Sequence, residues 1–399
     1  MTTGSARERQ ARPWCVLAAV VFAVVMAGTT LPTPLYGLYR EEIGFSEFLV
    51  TVVFAVYAGG VITALLAAGN FSDILGRRPV LLTGLALSML SAVCFAFEGG
   101  LPLLFIGRLL SGFAAGLFSG GATAAVTELA PPGQQGRAAL TATAANMGGL
   151  GCGPLIAGLL AQYEPHPLRL PFLVHLALLI LASGVIWAMP ETVAVRDPRP
   201  PLRPQGMVVP HEARRVFVPA ALSAFAGFSL LGLFTAVAPA FVATYLDVDN
   251  LAVSGVIVLS VFLASMAGQM LMGRTGAVRA LPLGCAVLTV GLVLIGCALL
   301  AESLAVLVAG GVVSGLGQGL AFRASVANVS RVAPAGQRGG TISALFVAAY
   351  VGISVPVVGI GAVAVAVGLR TAGLIFVACV IVLSTAVAAY LVRRPMPAA

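Results

Sequence analysis

Apolar runs of twenty residues or more alternate with short charged hinges along almost the whole chain. The runs fall at about 15–36, 47–69, 79–97, 101–126, 138–162, 170–189, 216–244, 251–272, 280–300, 304–328, 338–364 and 370–392. A helix rising 1.5 Å per residue needs roughly 20 apolar residues to cross the hydrocarbon core of a bilayer, so the pattern predicts twelve membrane helices. Strand-type alternation over about 10 residues, which would mark an outer-membrane barrel, is not the rule here. Arg7, Arg9 and Arg12 precede the first run in the manner of a secretory signal. That run is longer than the roughly 7–15 apolar residues of a signal, and eleven more follow it, so it is expected to remain as the first span. Its far end, Thr29 to Tyr36, gathers hydroxyls with Pro32 and Pro34. Prolines inside a span release backbone carbonyls that other groups must satisfy.

The twelve spans divide into two sixes. Between the sixth and seventh, Pro190 to Arg215 is rich in proline and arginine, including Arg196, Arg199, Arg203, Arg214 and Arg215, and has no apolar periodicity. It reads as a linker. The expected organisation is therefore a cytoplasmic tail over 1–14, a six-helix half over 15–189, a cytoplasmic linker over 190–215, a second half over 216–392 and a cytoplasmic tail over 393–399. The halves repeat one another. Ala130-Pro131-Pro132-Gly133-Gln134-Gln135-Gly136 recurs as Ala333-Pro334-Ala335-Gly336-Gln337-Arg338-Gly339, an offset of 203 that also carries Gly112 to Gly315, Gly116 to Gly319 and Gly149 to Gly352. An even-span unit repeated in the same orientation relates the halves by an axis along the membrane normal and puts the substrate site between them, near the midplane.

Charge fixes the expected orientation. With the N-terminus inside, seventeen arginines fall on the cytoplasmic side, Arg40, Arg169 and Arg370 fall outside, and Arg108 and Arg323 lie within spans. The positive-inside rule then places both termini in the cytoplasm, while helical spans joined by short loops, with a Gly, Ala and Arg bias and no lysine, make a bacterial inner membrane the expected location. Composition narrows the function. The 399 residues are 59% hydrophobic and 9% charged, against about 25% charged in soluble domains, so no room is left for a folded soluble domain. The net charge of +8 is spread one or two to a loop, with no basic block to follow phosphates, so nucleic acid is not an expected partner. All 22 basic residues are arginine, and without lysine there is neither a Walker A loop nor a Schiff-base site. The six cysteines sit in apolar runs, where a thiol behaves as a small hydrophobe, and no disulfide or metal site is inferred. Paired carboxylates and metal-spaced His or Cys clusters are missing from the spans, so an enzyme is not expected.

The most informative polar stretch is the hinge Gly69 to Val80, GNFSDILGRRPV. Gly69 and Gly76 permit close backbone approach where the helix ends, and Asp73 can accept from free amides at a neighbouring helix N-terminus. Arg77 follows Asp73 by one turn, and Arg78 follows Arg77. Glu128 and Glu191, the latter in Pro190-Glu191-Thr192, are candidate partners for those arginines. Span 4 carries Arg108 with Gly112 and Gly116 four and eight residues on. An arginine inside a span suggests function, with snorkelling of its head to water as the alternative. Span 5 reads MGGLGCGPLIAG, with Gly149, Gly153, Pro154 and Gly158 offering close packing and a bend.

This arrangement resembles the major facilitator superfamily over nearly the whole chain. The spacing of Gly69, Asp73, Gly76, Arg77 and Arg78 resembles the family's motif between spans 2 and 3, with departures at Phe71 and Ile74. The resemblance implies an all-α major facilitator fold. It also implies that Asp73, Arg77 and Arg78 stabilise the outward-facing state by tying the halves together on the cytoplasmic side. It associates Arg108 with proton coupling, and it likens Gly149, Gly153, Pro154 and Gly158 to a motif that marks exporters.

Candidate cavity groups are Thr29, Thr33, Tyr36, Tyr57, Asn146, Gln269, Gln318, Arg323 and Tyr350, with His175 in span 6 as a group able to titrate near neutrality. Spans 1, 5, 7 and 11 hold no mid-membrane Asp or Glu to carry a proton. The expected function is alternating-access efflux of a small hydrophobic or amphipathic compound in exchange for protons, by a monomer in the bilayer without cofactors. The alternatives are a carrier of a polar metabolite, with Arg323 and Asn146 binding it, and a membrane sensor that transports nothing.

Overall fold

The computed structural model describes residues 3–97, 99–193, 204, 206–334 and 336–394, with side chains from Pro13 onward. Arg196, Arg199 and Arg203 of the expected linker and residues 395–399 lie outside the described residues, as do the side chains of Arg7, Arg9 and Arg12. Among the described residues, twelve helical segments are long and apolar enough to cross a membrane: spans 1 to 6 are Pro13–Ile43, Glu47–Ala68, Arg77–Ala96, Leu101–Glu128, Gln135–Tyr163 and Leu170–Ala188. Spans 7 to 12 are His211–Leu246, Leu251–Thr275, Ala277–Ala301, Leu304–Val332, Arg338–Val367 and Leu369–Arg393. No strand occurs among the described residues. Twelve crossings bring the first and last described residues to one side, called here the tail face.

Local chemistry sets several ends. Ser46 caps span 2 by accepting from the Leu49 amide, and the Asn250 side chain caps span 8 by accepting from Ala252 and Val253. The first helix begins at Thr3 rather than near residue 15. The stretch Ala6 to Ala11 is rich in good helix formers and extends the span outward as one continuous rod. At its other end, the expected proline disruption takes the form of a 3-10 turn over Thr33–Leu35 between the helix ending at Thr30 and a second helix, Tyr36–Ile43. The hinge after span 2 holds a helix of its own, Phe71–Leu75.

In a bilayer the hydrophobic effect does not press one helix against another, so helices associate through close van der Waals packing at small residues. The repeat is visible at that level. A Cβ on Gly112 would overlap the Tyr57 carbonyl oxygen of span 2, and in the second half a Cβ on Gly315 would lie 2.6 Å from the Val261 carbonyl oxygen of span 8. Gly149 rests on the Ala23 carbonyl of span 1 as Gly352 rests on the Phe225 carbonyl of span 7. The same backbone-on-backbone crossings therefore recur in both halves, and the two halves are pseudo-symmetric six-helix bundles.

Span 7 departs from its counterpart by a π turn over Leu233–Val237, which ends two residues before Pro239. Proline has no N–H and its ring crowds the carbonyl four residues back, here that of Thr235, so the α ladder cannot continue through this point.

Candidate functional site

Two recesses face each other along the axis between the halves. The central cavity, about 530 Å³, is lined from spans 1, 2, 4 and 5 of one half and 7, 8, 10 and 11 of the other. It extends from Thr29, Tyr57 and Thr235 at mid-depth to Ala139 and Val326, the former about 6 Å along its helix from the tail-face end. The second recess, about 440 Å³, opens on the opposite face beside Arg40, Glu41, Pro167, Asp249 and Leu369. Between them the halves meet closely. Gly158 packs on the Leu251 carbonyl, a Cβ on Gly255 would lie 2.6 Å from the Pro154 carbonyl oxygen, and Gly361 packs on the Thr51 side chain. The Leu251 amide donates to Gln162 at 2.9 Å and Asn250 donates to the Tyr163 hydroxyl at 3.2 Å, both across the halves.

The lining of the central cavity is aromatic and hydroxylic. Tyr57 and Tyr350 approach across the halves at 6.3 Å between ring centroids, and the series continues to Phe228 at 5.8 Å, Phe322 at 5.0 Å and Phe346 at 5.6 Å. Thr29, Tyr57, Asn146, Gln269, Arg323 and Tyr350 all line it, as the sequence suggested. Thr33 and Tyr36 line the opposite recess instead, because the 3-10 turn carries the chain past the septum. Gln318 lines neither; it is buried between spans 8 and 10, where its Oε1 accepts from Ser265 at 2.6 Å.

The hinge cluster is assembled around Arg77, which is only 6% exposed. Its guanidinium donates to both oxygens of Glu128 at 2.7 and 3.1 Å, to Asp73 at 2.5 Å and to the Ser72 hydroxyl at 2.7 Å. Such bidentate charged pairing is strong and directional. Glu191 takes the capping role expected of Asp73: its two oxygens accept from the backbone amides of Arg77 at 2.8 Å and Arg78 at 3.0 Å, capping the positive end of span 3. Asp73 itself binds the Arg77 side chain. Gly76 makes the cap possible, since its φ is +103° and a Cβ there would lie 2.6 Å from Glu191 Oε2. Gly69 ends span 2 at an ordinary φ of −58°. Arg78 donates to the Trp187 carbonyl. These bonds join spans 3, 4 and 6 and the hinge within the first half, rather than bridging to the second. Toward the second half, Asn70 borders a tail-face recess shared with Gly206, Val208 and Gln337. Glu191→Ala leaves two helix-end amides unmet and is expected to lower stability by about 1–2 kcal/mol, read as a fall in thermal midpoint of the purified protein; an unchanged midpoint would remove the capping role.

Arg108 does not snorkel. It is fully buried, with Nε donating to the Tyr36 hydroxyl at 2.5 Å and Nη1 to the Thr29 carbonyl at 2.6 Å, while Nη2 has no partner. The rings of Tyr36, Phe54 and Phe95 surround the guanidinium at 5.1, 5.8 and 5.8 Å. His175 is also buried, with Nε2 unpartnered, and it packs against Gly28, where a Cβ would overlap the imidazole. Arg108 and His175 thus meet the same turn of span 1, one at Thr29 and the other at Gly28. The small residues of span 5 divide their work. Gly149 and Gly153 seat on span 1, while Pro154 and Gly158 seat on span 8 of the other half. Gly112 and Gly116 seat span 4 on span 2.

Sequence reasoning missed Phe54, Phe228, Phe262, Phe322 and Phe346 as cavity residues. A phenylalanine in an apolar span gives no signal by itself.

A family model described as Major Facilitator Superfamily matches residues 18–295. The chain belongs to the major facilitator superfamily. Among curated relatives, the quinolone resistance protein NorA of Staphylococcus aureus is 25% identical over 176 residues, covering 44% of this chain and 43% of that protein. The multidrug resistance protein MdtL of Klebsiella pneumoniae is 28% identical over 182 residues, covering 45% and 44%. The match thus spans less than half the length of these relatives. Solved major facilitator structures match over nearly the whole chain and show the fold. A POT family transporter in complex with 5-aminolevulinic acid superimposes with a TM-score of 0.76 at 12% identity, covering 96% of each chain. A bacterial homologue of the human lysosomal transporter Spinster, in an inward-facing and unoccupied conformation, gives 0.76 at 15% identity over 98% and 99%.

Proposed function

We propose that this major facilitator protein exports a small hydrophobic or amphipathic compound from the cytoplasm in exchange for protons. The observation that carries the reading is the central cavity, an aromatic-lined space of about 530 Å³ at the interface of the two halves. That is within the range of sites for drug-sized molecules. It reaches toward the tail face, which the arginine distribution identifies as cytoplasmic. Transport then follows from rocking of the halves about this cavity. The close seating of Gly158 and Gly255 opens on one side as the tail face closes on the other. The relatives named for drug resistance and the glycine-proline packing of span 5 support export over uptake. The protein works as a monomer of the bacterial inner membrane and needs no cofactor beyond the proton gradient.

Coupling is assigned to Arg108 and His175. Arginine stays charged at any physiological pH, so a proton taken up by His175 adds a second positive charge beside the same turn of span 1. Loosening that turn moves Thr29, which lines the cavity. Cells expressing the protein are expected to expel members of a panel of hydrophobic and amphipathic compounds, and to stop when a protonophore collapses the gradient. Efflux that persists without a gradient would refute proton exchange, and failure to expel any panel member despite membrane expression would refute the export reading.

A further inference from the structure

Resting on the export reading, we propose that the substrate is an aromatic organic acid whose anion is held by Arg323 and Gln269 in the central cavity. Arg323 is the only charged residue lining that cavity among the described residues. It comes from span 10 and makes one hydrogen bond, from Nη1 to the Gln269 carbonyl at 2.9 Å. A guanidinium has five N–H donors, and the others of Arg323 make no hydrogen bond among the described residues. Gln269, from span 8, is only 6% exposed, and its side-chain amide nitrogen has no partner. Two donor groups on facing helices therefore converge on one part of the cavity with unmet capacity.

A buried donor without an acceptor, as the Gln269 amide nitrogen is, is costly and rare, and an anionic oxygen pair would complement it together with the free donors of half-buried Arg323. A planar guanidinium matches the two oxygens of a carboxylate or sulfonate in a fork geometry. A cationic substrate would find no carboxylate in the lining and would lie in low dielectric beside a like charge. The remainder of the ligand is specified by the rings. Phe322 adjoins Arg323 in sequence and begins the series that runs through Phe228 to Tyr350 and Tyr57. A flat apolar body can lie along these rings with its acidic group at the Arg323 end, the end nearer the tail face.

The test uses the purified full chain, with 1-naphthoate, its neutral near-isostere 1-naphthamide, and tetraphenylphosphonium as a lipophilic cation. Wild type is expected to bind naphthoate about 10-fold or more tightly than naphthamide. In Arg323→Gln, naphthoate binding should weaken about 30-fold while naphthamide binding stays within about two-fold, which also shows that the cavity is intact. Gln269→Leu should weaken naphthoate alone, by about five-fold. Equal binding of the two naphthyl compounds by wild type, or a naphthoate preference that survives Arg323→Gln, overturns the proposal. If Arg323→Gln also loses naphthamide, Arg323→Lys decides: restored preference for naphthoate supports the anion site, and its absence overturns it. Transport in vesicles separates the two readings. Expulsion of naphthamide or the cation with naphthoate neither bound nor moved overturns the anion site and leaves export standing. Arg323-dependent naphthoate binding with no ligand expelled overturns export and leaves the anion site.

Discussion

Arg108→Met is expected to leave the protein folded in the membrane while lowering transport by about 100-fold or more. The side chain is fully buried, faces three aromatic rings and has one nitrogen without a partner, and it pairs with no carboxylate among the described residues. A buried charge so placed contributes little net stability, and replacement of buried ionic groups by apolar side chains of similar volume is often neutral or stabilising by about 1–4 kcal/mol. Methionine fills the space with a flexible apolar chain that suits the aromatic surround. What it removes is the fixed charge, together with the donors to Tyr36 and Thr29. These two acceptors lie on opposite sides of the septum, Tyr36 at the recess on one side and Thr29 at the cavity on the other. The guanidinium is thus the polar tie between the two ends of the broken first span. Thermal unfolding of the purified variant should match or exceed wild type while transport in vesicles collapses. Transport at the wild-type rate would reduce Arg108 to a packing residue.

Gly112→Leu is expected to have the opposite profile, losing the folded protein altogether. Any Cβ at this position overlaps the Tyr57 carbonyl oxygen and lies 3.0 Å from the Gly60 Cα, so the obstacle is backbone and no rotamer relieves it. Overpacking a core costs about 1–3 kcal/mol where side chains can yield, and more where they cannot. The leucine must force spans 2 and 4 apart along their crossing, and Arg108 lies one turn away on the same helix. Gly120 supplies the control. It is on span 4 as well, lines the cavity and has nothing within 4 Å of its would-be Cβ. Gly120→Ala should be neutral or stabilising by about 0.5–1 kcal/mol, through helix propensity and a more restricted unfolded chain. Size-exclusion profiles and thermal midpoints of both variants in detergent would show the contrast. A monodisperse Gly112→Leu protein with the wild-type midpoint would mean that the two helices do not cross as described.

Much of this architecture was legible in the residues because membrane spans are long, uniform and punctuated by charge. Twelve runs gave twelve helices, and the glycines related by an offset of 203 proved to sit at equivalent crossings in the two halves. Side-chain partnership was harder to read. Glu128 does pair with the Arg77 guanidinium, but Glu191 reaches the backbone amides of Arg77 and Arg78 instead of their side chains, and so displaces Asp73 from the cap. Two carboxylates near one helix start look alike in sequence; only the path of the chain beyond span 6 decides which arrives at the amides. Thr33 and Tyr36 were grouped with Thr29 by proximity in sequence, whereas the 3-10 turn between them separates the two recesses. The cavity phenylalanines were invisible for the opposite reason, since aromatic side chains that face lipid, core and cavity share one apolar pattern.

The π turn of span 7 bears on how the two halves came to differ in length. Ala23 corresponds to Phe225, 202 residues on, whereas Tyr57 corresponds to Val261, 204 residues on. Two residues have therefore entered between these points. A π turn holds one residue more than the α turn it replaces, so Leu233–Val237 stores one of them inside the helix instead of in a loop. Its presence sets the rotational phase of everything beyond. Thr235 faces the cavity, while Ala236, Val237 and Pro239 face the opposite recess. Excising a single residue from this turn would rotate the outer third of the helix by about 100°, carrying Pro239 and Thr244 away from the recess wall that they now form.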